Sequence, residues 1–314
     1  MTPASDSHEI NSLRENNLAT VSFLHTKQRP EWRRLIDRFV AHRLAVVSLV
    51  FLLLLTLVAV WGPWLVRITL DTDAQEIHVG MRNRPPSWDH PFGNDELGRD
   101  LLARIVDAVR ITLIVGMLVV VVSNVIGLVV GGIAGAFGGA IDTTLMVILD
   151  TLIAIPSFYL LLAIASYAAE FTITGIIVVI ALTSWMGIAR IVRADFIALK
   201  NRDYVLAARS LGASQSWIIM RQILPNVLPT IIVATSLSVG SAIIIESALS
   251  FLGLGVQTPR ASLGTLLSRA QQYVWTAPRL AIIPGMTIVF IVLAFNYIGD
   301  GLREALDPRL NVDG

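Results

Sequence analysis

Of the 314 residues, 54% are hydrophobic and 15% charged, the formal net charge is +1, and the mean hydropathy is +0.69. Charge this sparse excludes an ordinary soluble domain, and the missing basic excess excludes nucleic acid as a partner, leaving membrane lipid as the expected surroundings. The chain has no cysteine, which removes disulfides, thiolate nucleophiles and Cys-ligated metals together.

Residues 1–30 are polar, mixed in charge and without period, and read as a cytoplasmic tail with no assigned role. No cleavable signal peptide is expected, because a long polar stretch precedes the first apolar run and WGPW after it lacks small residues. From Glu31, the residues Trp32, Leu35, Ile36, Phe39 and Val40 make one apolar face, set against Arg33, Arg34, Arg38 and Arg43. That pattern predicts a helix lying on the anionic inner leaflet. Residues 1–43 therefore form a first unit, and a first span follows over 44–66, ending in Trp61 and Trp64. The seven Lys and Arg before that span place the N-terminus inside.

Residues 67–108 are expected to be an external loop rich in Pro and acidic groups, and residues 109–303 a five-helix core. The second span, about Ile111–Phe137, carries Gly127, Gly131, Gly135 and Gly139 every four residues, a small-xxx-small register that predicts close helix packing. A third span over Thr144–Tyr167 is expected to kink at Pro156, and a fourth, Ile173–Ile191, returns the chain inside at Arg190 and Arg193. The fifth span, Thr230–Phe251, holds Glu246, read either as pairing with a neighbouring helix or as lining a polar path. Arg260, Arg269 and Arg279 fall in an outer loop with no acid, against the positive-inside pattern. The sixth span, Leu280–Ile298, leaves residues 304–314 as a cytoplasmic tail. The whole is an all-α integral membrane protein with six spans and both termini inside.

Residues 193–229 form a mostly polar cytoplasmic loop. Asp203 reads as an N-cap; Tyr204, Ala207, Ala208 and Leu211 share one helical face; Gly212 stops that helix. Ser214 then caps a second segment, Trp217–Leu224, which Pro225 and Pro229 are expected to break from the next span. Spacing alone leaves two readings: an interfacial re-entry loop without a partner, or a surface built to be gripped.

A phosphate-binding loop needs Gly-x-x-x-x-Gly-Lys-Ser/Thr, and the only lysines, Lys27 and Lys200, precede Gln28 and Asn201. ATP hydrolysis, if used, must sit on another chain. His8, His25, His42, His78 and His90 show no metal-ligand spacing and read as single solvated histidines. No Ser, His and acid set shares a rigid element, so catalysis has no support. Asp150 and Glu246 are thin material for a proton relay. A stand-alone channel or carrier and a subunit driven by a separate motor remain open at this stage.

AARSLG followed by ILPN resembles the cytoplasmic coupling loop of binding-protein-dependent ABC importer permeases: Glu-Ala-Ala, three residues, Gly, nine residues, Ile-x-Leu-Pro. Ala207, Ala208, Gly212, Leu224 and Pro225 match in register, while Leu206 stands in place of Glu and Gln222 in place of Ile. HPFGNDELGRDLLARI at 90–105, ESALSFLGLGVQ at 246–257 and FNYIGDGLREALDPRL at 295–310 are similar to the second permease (DppC/OppC-like) of dipeptide and oligopeptide importers. The resemblance covers roughly 32–312 and implies a MetI-like permease core in a prokaryotic inner membrane. It also implies a second related permease as heterodimer partner, two ATP-binding subunits below and an extracytoplasmic solute-binding protein above. ATP and Mg belong, on this resemblance, to the partner subunits, and this chain binds no cofactor or metal and catalyses nothing. Small residues at 207, 208 and 212 would permit close docking on an ATPase, with Leu211 or Tyr204 filling an apolar pocket. Nickel or another small solute is the alternative cargo within the family.

Overall fold

The computed structural model describes residues 31–69, 72–167 and 172–306. The tail at 1–30 and most of that at 304–314, with His8 and His25, lie outside the described residues. Among the described residues the regular structure is helical, apart from one isolated bridge between Asn94 and Asp100. Among the described residues five helices are long and apolar enough to cross a membrane, and a bent pair of helices reaches the same length and hydropathy together.

The first helix, α1 (Glu31–Ala41), starts where its amphipathic pattern predicts. Part of its apolar face is used inside the protein: the Phe39 ring lies over Gly301, where an added Cβ would sit 3.3 Å from it. Ile36 and Val40 stay exposed and are suited to lipid. The helix α2 (Arg43–Thr69) is 27 residues long, about 40 Å at roughly 1.5 Å per residue, which overshoots a hydrocarbon core of about 30 Å. Its exposed Leu53, Leu54 and Leu57 contrast with buried Leu52 and Ala59, so one stripe of an all-apolar helix packs and the rest faces outward.

The long helix α3 (Leu101–Phe137) begins earlier than the predicted second span. Asp100 is the reason: its Oδ1 accepts from the Ala103 N–H at 2.8 Å, satisfying a donor that a helix start leaves orphaned. The other carboxylate oxygen meets His90 Nδ1 at 2.7 Å, so His90 is a half-buried structural partner and not a solvated histidine. His42 departs from the same expectation, accepting from the Ala45 N–H at 3.1 Å. At the end of α2, Arg67 pairs with Asp73. The Asp73 carboxyl is held below the usual carboxylate range, first by the Gln75 N–H and then by Arg67, with burial opposing.

Against α3 lies α6 (Ile173–Lys200), the most extensive helix pairing in the molecule. Gly127 and Gly131 face it in register: a Cβ at 127 would come 2.7 Å from Ile188, and one at 131 would enter the Ala189 carbonyl. Gly135 meets Phe196 in the same way. Gly139 departs from the predicted stripe. With Gly138 it makes the turn out of α3, at φ +56°, with open space around its Cβ position among the described residues. Gly131→Ala is therefore expected to force α3 and α6 apart, costing about 1–3 kcal/mol as overpacking does. Gly139→Ala carries only turn strain, and thermal unfolding of the two variants in detergent separates them.

After that turn, α4 (Gly139–Ala154) and α5 (Ser157–Tyr167) are bent by 84° from one another, far more than a kinked third span. Pro156 supplies no N–H and holds Ile155 in extended conformation (φ −79°, ψ 124°), which ends α4 at once. The helix α6 in turn runs nine residues past the predicted end of its span at Ile191. Its arginines are neutralised on the way out: Arg190 meets Asp150 and Arg193 meets Asp142, each at 2.5 Å, and Lys200 Nζ donates to the Gly135 carbonyl at 2.9 Å. Buried Val192 and Phe196 supply an apolar face there.

The short helix α7 (Asp203–Ser210) and α8 (Gln215–Ile218) precede a π-helical turn at Ile219–Ile223 and the long α9 (Leu224–Phe251). Neither Pro225 nor Pro229 breaks this run, contrary to the sequence expectation. The π turn rephases the ladder, with Leu224 N–H bonding to the Ile219 carbonyl, so Pro225 falls in a first turn where its missing N–H costs little. Asn226 Nδ2 bonds the Gln222 carbonyl at 2.6 Å. Two further helices, α10 (Leu263–Ala270) and α11 (Arg279–Leu306), complete the bundle.

Two of the three arginines set against the positive-inside pattern have structural partners. Arg269 meets Glu96 at 3.2 Å, and Arg279 donates to the carbonyls of Asn83, Arg84 and Asn94. They tie α10 and α11 to residues 83–100, while Arg260 stays exposed.

Candidate functional site

Two features stand out: the surface of α7 at one end of the bundle and a polar groove between α3, α5, α6 and α9. At α7, the N-cap position belongs to Arg202, which makes no side-chain cap; Asp203, expected there, is the first helical residue and its charge suits the positive helix end. The helix stops in a Schellman motif. Gly212 N–H bonds the Arg209 carbonyl at 3.0 Å, Ala213 N–H bonds the Ala208 carbonyl at 3.1 Å, and Gly212 sits at φ +81°. Ser214 then caps α8 through the Trp217 N–H.

Sequence spacing groups Tyr204, Ala207, Ala208 and Leu211 on one face, and an apolar stripe at that spacing usually packs inward. The structure turns it outward: Leu211 is 88% exposed and Tyr204 43%, Ala207 is exposed and Ala208 half-buried. The anchor is Val205, about a third of a helical turn round from the stripe, fully buried with Phe196, Ile218, Ile223 and Val227. Sequence reasoning missed Val205. Its signal was an apolar residue out of phase with the stripe, the mark of a helix with two apolar faces. Of the other loop residues, Leu224 is half-buried and Pro225 exposed, both at the start of α9 and away from the α7 face.

Glu246 in α9 is fully buried. Its Oε1 accepts from Ser250 Oγ at 2.6 Å, and Ser250 in turn accepts from Ser262 Oγ at 3.1 Å and the Val256 N–H at 3.2 Å. Close by, the Leu263 N–H donates to Thr112 Oγ1 at 3.1 Å, joining α10 to α3. Glu246 thus sits in a polar knot that packs α9, α10 and α3 together. The groove is lined instead by Ser238, Ser241 and Ile245 of the same helix.

That groove has a volume of about 270 Å³ and no Asp, Glu, Lys, Arg or His among its lining residues. Sequence reasoning missed it as well. Its trace is a set of hydroxyl and amide residues inside apolar runs: Ser123 and Asn124 in α3, Thr183 and Ser184 in α6, Ser238 and Ser241 in α9.

A bundle of five long apolar helices and one broken pair, with a polar groove among them and an exposed apolar helix at one end, defines the chain as a membrane permease. It belongs to the family described as binding-protein-dependent transport system inner membrane component, whose model matches residues 127–312. Residues 31–86 match the N-terminal TM domain of oligopeptide transport permease C. The chain is 38% identical over 299 residues to the glutathione transport system permease protein GsiD of Pectobacterium atrosepticum, covering 95% of this chain and 98% of that one. It is 37% identical to the oligopeptide transport system permease protein OppC of Bacillus subtilis, covering 89% and 90% of the two chains. The dipeptide transport system permease protein DppC of Alkalihalophilus pseudofirmus is 36% identical with the same coverage. A solved inward-facing structure of the MetNI methionine ABC transporter superposes with a TM-score of 0.54 at 20% identity, over 64% of this chain and 96% of that one, and shares the fold. Family membership removes the stand-alone channel or carrier from the two readings the sequence left open.

Proposed function

We propose that this chain is the membrane subunit of an ATP-driven importer of dipeptides or oligopeptides. It works beside a second related permease and two ATP-binding subunits, one of them docked at α7, with a solute-binding protein at the opposite end. The α7 end then faces the cytoplasm of a prokaryotic cell, both termini lie on that side, and ATP and Mg are held by the partner subunits. The relatives above are named for glutathione, oligopeptide and dipeptide transport, which favours a peptide cargo over nickel.

One observation carries the docking reading: α7 is fixed by buried Val205 while Tyr204, Ala207 and Leu211 face out. An exposed apolar side chain on a rigid, well-anchored helix is what a partner's pocket grips. Closure of the ATPases would push α7, and the shared packing of Val205, Phe196 and Val227 would pass that push to α6 and α9.

Because the chain has no cysteine, single-cysteine cross-linking tests this without background. Leu211→Cys is expected to cross-link to an ATP-binding subunit in membranes holding the assembled complex, and Val205→Cys is not. Absence of any cross-link from position 211 in a complex that still transports removes the docking role.

A further inference from the structure

We infer that the groove between α3, α5, α6 and α9 is this chain's wall of the peptide path and recognises the backbone N–H groups of its cargo through an uncharged, acceptor-rich lining. The inference rests on the peptide reading above and adds the residues and the chemistry.

The hydroxyls carry the first part. Each Ser or Thr has one O–H to donate and two lone pairs to offer. On α3, α6 and α9 the donors are spent on the helices' own carbonyls: Ser123 on Val119 at 2.7 Å, Thr183 on Ile180 at 2.9 Å, Ser184 on Ile180 at 2.8 Å, Ser238 on Ala234 at 2.8 Å and Ser241 on Leu237 at 3.5 Å; Ser157 of α5 also lines the groove, with its O–H uncommitted among the described residues. Back-bonding of this kind is how hydroxyls are satisfied inside apolar helices. What these three helices leave for a visitor is mainly oxygen lone pairs.

Asn124 carries the second part. Its Nδ2 donates to Thr235 Oγ1 at 2.6 Å, and Thr235 Oγ1 donates to the Ile231 carbonyl at 2.6 Å. With its hydrogen committed, Thr235 can only accept, so the amide orientation is set by the network. That leaves Asn124 Oδ1 as an acceptor shielded from solvent and without a hydrogen-bond partner among the described residues. A buried acceptor in that state costs free energy until a donor reaches it.

The chemistry selects the ligand class. A surface with more acceptors than free donors favours N–H donors, which every peptide unit supplies whatever its side chains. With no charged side chain in the lining, it neither selects nor repels a cargo by side-chain charge. A divalent transition metal would call for imidazole or carboxylate ligands, which this lining does not offer. The size fits one wall of a larger path: about 270 Å³ falls just short of the roughly 300 Å³ at which closed small-molecule sites begin.

The experiment uses the complete complex with its own binding protein, in vesicles, and compares trialanine with its backbone N-methylated analogue. The readout is peptide moved per ATP hydrolysed. In the wild type, trialanine is expected to exceed the N-methylated analogue about ten-fold. In Asn124→Leu, trialanine falls about ten-fold, to the level of the analogue. The double variant Ser238→Ala, Ser241→Ala removes acceptors without touching the Asn124–Thr235 pair and is expected to halve the preference, which guards against a folding defect in Asn124→Leu. Variants that keep the wild-type rate and the wild-type preference overturn the groove assignment while leaving the peptide cargo intact. A wild-type complex that moves neither peptide overturns the cargo reading itself, without recourse to any variant.

Discussion

Gly212→Leu is expected to abolish peptide uptake and stimulated ATP hydrolysis while the chain still inserts and accumulates at wild-type levels. Two physical effects act at this position. Gly212 closes the Schellman motif at φ +81°, a region where an L-residue costs about 1–2 kcal/mol. Relieving that strain rotates the last turn of α7 and moves Leu211, the most exposed of its apolar side chains. The second effect is bulk. A Cβ at 212 meets nothing within 4 Å among the described residues, so a side chain there starts from open space and projects toward whatever docks on α7.

A built-in control separates strain from docking. Gly253 ends α9 in the same motif, with Gly253 N–H bonded to the Ser250 carbonyl, Leu254 N–H to the Leu249 carbonyl, φ +82° and open space at its Cβ position. Gly253→Leu carries equal strain at the opposite end of the bundle. If strain alone mattered, the two variants would lose bound ATP-binding subunit on purification alike; docking at α7 predicts that only the 212 variant loses it. The ATP-binding subunit retained by each purified complex decides the point, and wild-type uptake and ATP hydrolysis for Gly212→Leu would sink the docking role.

What the sequence made legible follows from where its signals were local. The spans and the motif from Ala207 to Pro225 were readable because composition and register reveal them one segment at a time. The three glycines that pack against α6 were readable for the same reason, since close approach needs small residues at a fixed period. Gly139 broke the series because the chain had already turned at Gly138, a fact the period does not contain. The start of α3 and the effect of Pro225 were misjudged through neighbours: Asp100 caps a helix that the loop's polar composition concealed, and the proline sits behind a π turn that no residue announces. Val205 and the groove depended on tertiary contacts. The anchor is defined by Phe196 and Ile218 on other helices, and the groove by hydroxyls drawn together from α3, α6 and α9. Each of these is unremarkable in its own segment and gains meaning only when the helices meet.

Asp95→Ala is expected to remove folded protein from the membrane, the largest stability effect of any single substitution considered. Asp95 is 2% exposed and faces two buried arginines, Arg99 at 3% and Arg104 at 2%. Its Oδ2 accepts from Arg99 Nε at 2.7 Å and lies 3.7 Å from Arg104 Nε, while its Oδ1 accepts from the N–H groups of Leu97 and Arg99 at 2.9 Å. Two of the Arg104 nitrogens, Nε and Nη2, have no hydrogen-bond partner among the described residues, so Arg104 already depends on nearby charge. Removing Asp95 leaves two buried guanidinium groups with Glu96, which is shared with Arg269, and with half-buried Asp107 beside Arg104. Breaking a buried pair in this way costs about 3–5 kcal/mol, comparable to the whole margin of many folded domains. Asp95→Asn keeps an acceptor for the Leu97 and Arg99 N–H groups and loses only the charge, so it is expected to fall between wild type and alanine. Restoring balance by pairing Asp95→Ala with Arg104→Leu should recover part of the loss, because a buried cation is then replaced by an apolar side chain. Membrane abundance and thermal unfolding of the four proteins in detergent measure this directly. Equal stability of Asp95→Ala and wild type would show that water reaches these arginines and that the outer loop is not held by its buried charges.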